Sequence, residues 1–312
     1  DRALEMLEDA RDDGVDDIRL SAHLADAYRQ TDQFDRALQA INQVLEQEPQ
    51  VSRWYVIRGR IHFDRGNWQT AMANFKRGKE LDPQNYESIF FIGRTEFATE
   101  DFEAALETFR GILDYRAEVA EYHDWVARPF HRLNRTQKAL SHYQKAIDVD
   151  PAYAQRHPEL YVRLSELLLQ MGQSERARQK IDRALQIAPD SVAAKLAKAN
   201  ILFERDNHQQ AKQLYREVLQ QDASLAEAHY KLGMSYLYEN QRREAATELQ
   251  KAIHHGYSRS DVYEKLGYIY KELGENRQPI DAFKSFLKQS DPSSLSTATR
   301  REILNQIEEL GG

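Results

Sequence analysis

Residues 52–85 read SRWYVIRGRIHFDRGNWQTAMANFKRGKELDPQN. The stretch predicts two short amphipathic helices joined by a tight turn. Gly59 is the small residue of the first helix and Asp64-Arg65-Gly66-Asn67 is the turn. Trp68, Ala71, Phe75 and Gly78 mark one face of the second helix at helical spacing. Leu81-Asp82-Pro83 ends it, because proline cannot continue a helix and restricts the residue before it. A helix pair this short cannot bury its apolar faces alone and needs copies of itself on either side.

The copies are present. The small residue of the second helix recurs at Ala3, Ala37, Ala71, Ala105, Ala139, Ala177, Ala211 and Ala245, with Pro279 as the one departure. The step is 34 residues except for one of 38 between Ala139 and Ala177. Four positions after each lies a large apolar residue: Leu7, Ile41, Phe75, Phe109, Tyr143, Ile181, Tyr215, Leu249 and Phe283. Pro49, Pro83, Pro151 and Pro189 fall twelve positions after the small residue.

A helix pair repeating every 34 residues with this pattern resembles the tetratricopeptide repeat. The resemblance implies an all-α, right-handed superhelical solenoid of stacked antiparallel helix pairs, forming a single domain over 1–312. In the family's frame, residues 1–17 are a half-repeat, 18–153 four repeats, 154–157 an insertion, 158–293 four repeats and 294–312 a capping helix. The half-repeat suggests that further repeats precede it in a larger parent, and leaves Leu4 and Leu7 partly open.

Composition narrows the function classes. With 41% hydrophobic and 30% charged residues, the chain suits a surface-rich stack with a continuous core. A net charge of −7 argues against nucleic acid as a bulk electrostatic partner. The absence of cysteine excludes disulfides, thiol catalysis and cysteine metal sites, and fits an oxidising or a reducing compartment equally. No apolar run approaches the ~20 residues of a membrane span.

Several positions break the regular pattern. Arg58 stands where the family usually has leucine, so its stem is expected to cover apolar surface while its head reaches water. Repeat 86–119 is rich in aromatics. In repeat 120–153, Pro129 lies inside the expected first helix, where proline costs about 3 kcal/mol or kinks the helix. With the insertion at Ala154–His157, it predicts an irregular joint between residues 120 and 160, read either as loop drift or as a hinge or partner-contact loop. Pro279 falls within the first turn of its helix, where it is tolerated. Past Asp291-Pro292-Ser293, the segment RREILNQIEEL places Ile303, Leu304, Ile307 and Leu310 on one apolar stripe of a capping helix.

Catalytic chemistry has no foothold. No phosphate loop, nucleophile elbow, HExxH or EF-hand pattern occurs. His123 and His131 would lie about two turns apart on a helix, too far for easy shared ligation. His254-His255-Gly256 reads as a helix end. The expectation is no catalytic residues, no cofactor and no metal, and therefore no enzyme.

By resemblance, the first helix of each repeat lines the concave surface through repeat positions 2, 5, 9, 12 and 13. Position 9 holds Arg60, Arg94 and Arg128 in three successive repeats. Phe63, Phe97 and His131 occupy position 12 beside them; Val56, Phe90 and Asp124 occupy position 5. This is a basic ladder with aromatic neighbours. Arginine suits bidentate contact with carboxylates and stacks on planar groups. The candidate partner-binding residues are therefore Arg60, Arg94, Arg128, Phe63, Phe90 and Phe97, and the expected ligand is a protein or peptide with acidic and apolar side chains. The alternative is that the arginines pair with acids on adjacent repeats, such as Glu87, Glu96 and Glu121. The lysine–asparagine pair at positions 5 and 9 that grips chaperone tails in some family members is absent: Val56/Arg60, Phe90/Arg94, Val162/Glu166 and Leu196/Asn200 stand there instead. The expected function is a protein-interaction scaffold. Two other readings stay open: a recognition or regulatory arm of a larger enzyme or polysaccharide-secretion machine, and self-association through the terminal helices.

Overall fold

A computed structural model describes residues 2–15, 17–291 and 295–312, so Pro292 and Ser293 lie outside the described residues. These form nineteen helices and no strand. Contacts divide the chain into two compact units, Asp1–His157 and Pro158–Gly312. The first unit holds α1 (Arg2–Asp12), the pairs α2 (Ile18–Gln30) with α3 (Phe34–Gln47), α4 (Ser52–Asp64) with α5 (Trp68–Leu81), α6 (Tyr86–Ala98) with α7 (Phe102–Leu113) and α8 (Ala120–Arg132) with α9 (Thr136–Val149), and the short α10 (Pro151–Arg156). The second holds α11 (Glu159–Gln170) with α12 (Ser174–Ile187), α13 (Val192–Glu204) with α14 (His208–Gln221), α15 (Ala226–Tyr238) with α16 (Arg242–His254), α17 (Asp261–Glu272) with α18 (Gln278–Gln289), and the last helix α19 (Thr297–Glu309). Each unit is an all-α stack of antiparallel pairs.

The repeated residues are the packing residues. Each recurring alanine from Ala37 to Ala245 is fully buried, and each large residue four positions on, from Ile41 to Phe283, is too. The large side chain of the second helix is matched to a small residue of the first. Where it is phenylalanine the partner is glycine: a Cβ on Gly59, Gly93 or Gly267 would lie 2.5, 2.7 or 2.3 Å from the rings of Phe75, Phe109 and Phe283. Where it is Tyr143 or Tyr215, the residue at that position of the first helix is Ala127 or Ala199. Size complementarity of this kind locks helix register, because close-packed interiors do not absorb an extra methyl freely.

The turn inside each pair has one solution. The fifteenth residue of every repeat (Asp32, Gly66, Glu100, Asn134, Gly172, Asp206, Asn240 and Gly274) has a φ between 54° and 82°. That left-handed residue ends the first helix and costs little for glycine, asparagine or aspartate. Glu100 is the one member of the set outside those types.

The irregular region of the first unit takes a definite form. α8 runs through Pro129 to Arg132, since the proline sits near the C-terminal end and its own carbonyl still accepts from Leu133 N at 2.9 Å. The insertion is not a loop but belongs to α10, with Pro151 at its first turn and Asp150 accepting from Ala152 N at 3.0 Å. Tyr153 and Ala154 are buried. The half-buried Arg58 guanidinium donates to Asn74 Oδ1 at 2.6 Å and, on its exposed side, to Asn42 Oδ1 at 3.2 Å. Asn74 is itself buried, so the polar pair substitutes for the expected leucine contact.

At the N-terminal end Leu4 is buried and Leu7 half-buried. In the second unit Pro279 falls in the first turn of α18. Ile303 and Ile307 of α19 pack on Phe283 and Phe286, but Leu304 is 48% exposed. The expected four-residue stripe is narrower, because Leu304 is turned by about 100° from Ile303 around the helix.

Candidate functional site

Three successive first helices of the first unit, α4, α6 and α8, carry the predicted arginines, and the structure distinguishes the three. Arg60 reaches Glu87 Oε1 at 3.2 Å and Asp26 Oδ1 at 3.8 Å, joining three neighbouring helices. Arg128 folds back one turn onto Asp124, with Nη2 2.6 Å from Oδ2, and lies 3.8 Å above the Trp125 ring centroid. Asp124 is fully buried and also accepts from the Tyr153 hydroxyl at 3.0 Å. So position 5 of this repeat is an internal counter-ion rather than a surface residue.

Arg94 is different. Its guanidinium carbon lies 4.8 Å from the Phe91 and Trp125 ring centroids, 5.0 Å from Phe63 and 5.9 Å from Phe90. It makes no hydrogen bond or ion pair among the described residues, and its Nε is buried without a partner. Desolvation by these rings pulls the guanidinium below its usual range, opposed by the field of Glu121, but it stays charged. Glu121 in turn is pushed up, chiefly by desolvation, and forms no ion pair with Arg94.

The aromatic candidates divide as well. Phe63 is half-buried and meets Trp68 edge-on at 4.9 Å. Phe97, also half-buried, meets Phe102 at 5.3 Å and Trp125 at 5.9 Å. Phe90 is only 5% exposed, wedged between Tyr122, Trp125 and Phe109, and so backs the wall from inside. Of the acids expected to neutralise the ladder, Glu87 does so for Arg60, whereas Glu96 accepts from Thr108 at 2.8 Å.

The two rings nearest the Arg94 guanidinium, Phe91 and Trp125, are not among the candidate residues. Both sit at repeat position 6, three residues before an arginine at position 9. The i, i+3 relation puts such pairs on one helical face, and that spacing was the available signal.

A wall of parallel first helices, backed by second helices and carrying charge and aromatic surface but no convergent acid–base group, defines a helical-repeat binding scaffold. Models described as tetratricopeptide repeat match residues 23–86 and 92–155, 131–201 and 227–255, and the chain belongs to the tetratricopeptide repeat family, whose members act as protein-interaction scaffolds. A Bos taurus protein SGT1 homologue is 29% identical over 127 residues, covering 41% of this chain and 37% of that protein. Superkiller complex protein 3 of Mus musculus is 27% identical over 226 residues, covering 69% of this chain and 14% of that protein. The chain therefore spans well under two thirds of the length of these relatives. The crystal structure of the APC/C hetero-tetramer Cut9–Hcn1 matches with a TM-score of 0.66 at 13% identity, over 99% of this chain and 58% of that one, a likeness of fold. Among the described residues, no helix is long and apolar enough to cross a membrane.

Proposed function

We propose that this chain is a non-enzymatic scaffold whose first unit binds a partner segment along the α4–α6–α8 wall. The segment presents a carboxylate between apolar side chains. The carboxylate pairs with Arg94, and the apolar groups pack on Phe63, Phe97 and Trp125. Arg60 and Arg128, held by their own acids, flank the contact and Phe90 supports it from behind.

The observation that carries this reading is the unpaired state of Arg94 inside four rings. A guanidinium removed from part of its water has unused N–H donors, and a partner's carboxylate would satisfy two of them in one bidentate contact. The rings keep the side chain from roaming, so little ordering cost remains to be met on binding. Peptide selection by phage display on the wild type and on Arg94→Met tests it. Segments with an aspartate or glutamate flanked by apolar residues should be enriched on the wild type and lost on the variant. Recovery of the same segments by both proteins would refute the assignment.

A further inference from the structure

The second unit keeps part of the frame of this site without its arginines. Residues offset by 140 occupy the same repeat positions: Phe63 corresponds to Phe203, Phe90 to Tyr230 and Glu87 to Glu227. By the same offset Arg94 corresponds to Met234 and Arg60 to Asn200. Two of the aromatic side chains and the acid are kept and Arg94 and Arg60 give way to neutral residues, while the positions of Phe91, Trp125 and Phe97 hold Lys231, Lys265 and Leu237.

A cavity of about 650 Å³ opens at this place, lined by Phe203, Glu227, Tyr230, Met234, Tyr238 and Tyr257. Tyr230 and Tyr257 stack with centroids 4.3 Å apart. Tyr238 is 59% exposed with one face covered by His208 at 3.9 Å. Asn200 is already engaged, accepting from the Tyr215 hydroxyl at 2.6 Å. Glu227, whose counterpart Glu87 binds Arg60, has no hydrogen bond or ion pair among the described residues. Two cations line the cavity, each paired with an acid: Lys231, whose Nζ also lies 4.5 Å from the Phe203 ring centroid, with Glu204 at 2.8 Å, and Arg259 with Asp261 at 3.5 Å.

The geometry points to a second binding site here, one that takes the cationic side chain of a partner segment, with Glu227 as its counter-ion and the tyrosine rings as its walls. A guanidinium is the best fit, being planar, weakly hydrated and favoured over tyrosine faces. This site is independent of the first-unit reading, since it lies in the other unit and prefers the opposite charge.

The chain has four methionines, and Met234 is the one in the cavity. Methionine-methyl NMR on the full chain therefore reports the site directly. The probes are the peptide acetyl-Ala-Leu-Arg-Leu-Ala-amide and its twin with citrulline, which keeps the shape and removes the charge. The Arg peptide should shift the Met234 resonance saturably, leave those of Met6, Met72 and Met171 in place, and bind at least about tenfold more tightly than the citrulline peptide. Glu227→Gln, a change at an exposed side chain, should remove that preference while leaving the methyl spectrum of the free protein intact. A Met234 resonance that does not move at millimolar peptide, or that responds equally to both peptides, would overturn the assignment.

Discussion

The Tyr153 hydroxyl of α10 donates to Oδ2 of Asp124, 29 residues earlier in α8, at 3.0 Å. The same oxygen lies 2.6 Å from Arg128 Nη2. The helix that holds the extra residues between the fourth and fifth repeats is thus fastened, through Tyr153 just before them, to the buried counter-ion of the arginine wall, and the Tyr153 hydroxyl is pushed well above its usual range, chiefly by desolvation and then by the Asp124 charge. Removing the hydroxyl in Tyr153→Phe should cost about 1.5–3 kcal/mol, as for a hydrogen bond to a charged group. Urea denaturation gives the global figure. Hydrogen exchange should show protection lost first over residues 151–157.

Breaking the ion pair has a larger effect than replacing it. Asp124→Ala leaves the Arg128 guanidinium without its buried partner and should cost about 3–5 kcal/mol, whereas Asp124→Leu combined with Arg128→Met should recover most of that loss. Equal melting temperatures for the single and double variants would contradict the pairing.

In the α6–α7 pair of the aromatic repeat, the glycine is required by the ring opposite. A methyl on Gly93 would sit 2.7 Å from Phe109 Cε1, and that ring is fully buried. Gly93→Ala should lower stability by about 1–3 kcal/mol through overpacking, against a helix-propensity gain of about 1 kcal/mol. The double variant Gly93→Ala/Phe109→Leu should regain stability relative to Gly93→Ala.

These examples show what the sequence makes legible. Gly93 and Phe109 are readable as partners because both recur at fixed repeat positions, and packing residues are the ones a repeat must keep. Arg58, Asp124 and Tyr153 are not. Each role depends on another residue elsewhere in the chain: Arg58 on Asn74, Asp124 on Arg128 and on a tyrosine beside an insertion. The site was half legible for the same reason. Spacing brings Arg60, Arg94 and Arg128 to one repeat position, but their pairing depends on acids at other positions, Glu87 in a neighbouring helix for Arg60 and Asp124 one turn back for Arg128, which separates the two paired arginines from the unpaired one. Leu304 lies outside the buried stripe because consecutive helical residues are about 100° apart, which puts it off the edge that Ile303 occupies.

Glu100 holds a φ of 63° without being glycine, asparagine or aspartate. A non-glycine residue there costs about 1–2 kcal/mol. Comparing Glu100→Gly with Glu100→Ala removes the exposed pair with Arg132 from the comparison. The glycine variant should be the more stable by about 1 kcal/mol, after allowing for glycine's greater freedom in the unfolded chain. Equal stabilities would mean that the turn carries no strain.

Two histidines give the first unit a pH dependence. His123 Nε2 lies 3.0 Å from the Ala117 carbonyl and therefore carries the proton, leaving its Nδ1 to accept from His142 Nδ1 at 3.3 Å. Desolvation, then His123, Lys145 and Arg110, lower the His142 pKa from its ordinary 6.5 to about 4. Between those values the unfolded chain binds more protons than the folded one, so stability is full above about 6.5 and falls as the pH drops towards 4. His142→Gln should flatten that part of the stability profile. An unchanged slope would assign the acid sensitivity to other groups.

The central claim is that Arg94 awaits a partner's carboxylate. A double-mutant cycle by calorimetry tests it most directly, using the best segment selected on the wild type, the same segment with its acid changed to the amide, and the Arg94→Met protein at matched melting temperature. The account predicts a coupling of about 1.5–3 kcal/mol between Arg94 and the acid, the size of a charge-assisted bond. Additive losses, with no coupling between the two changes, would contradict it.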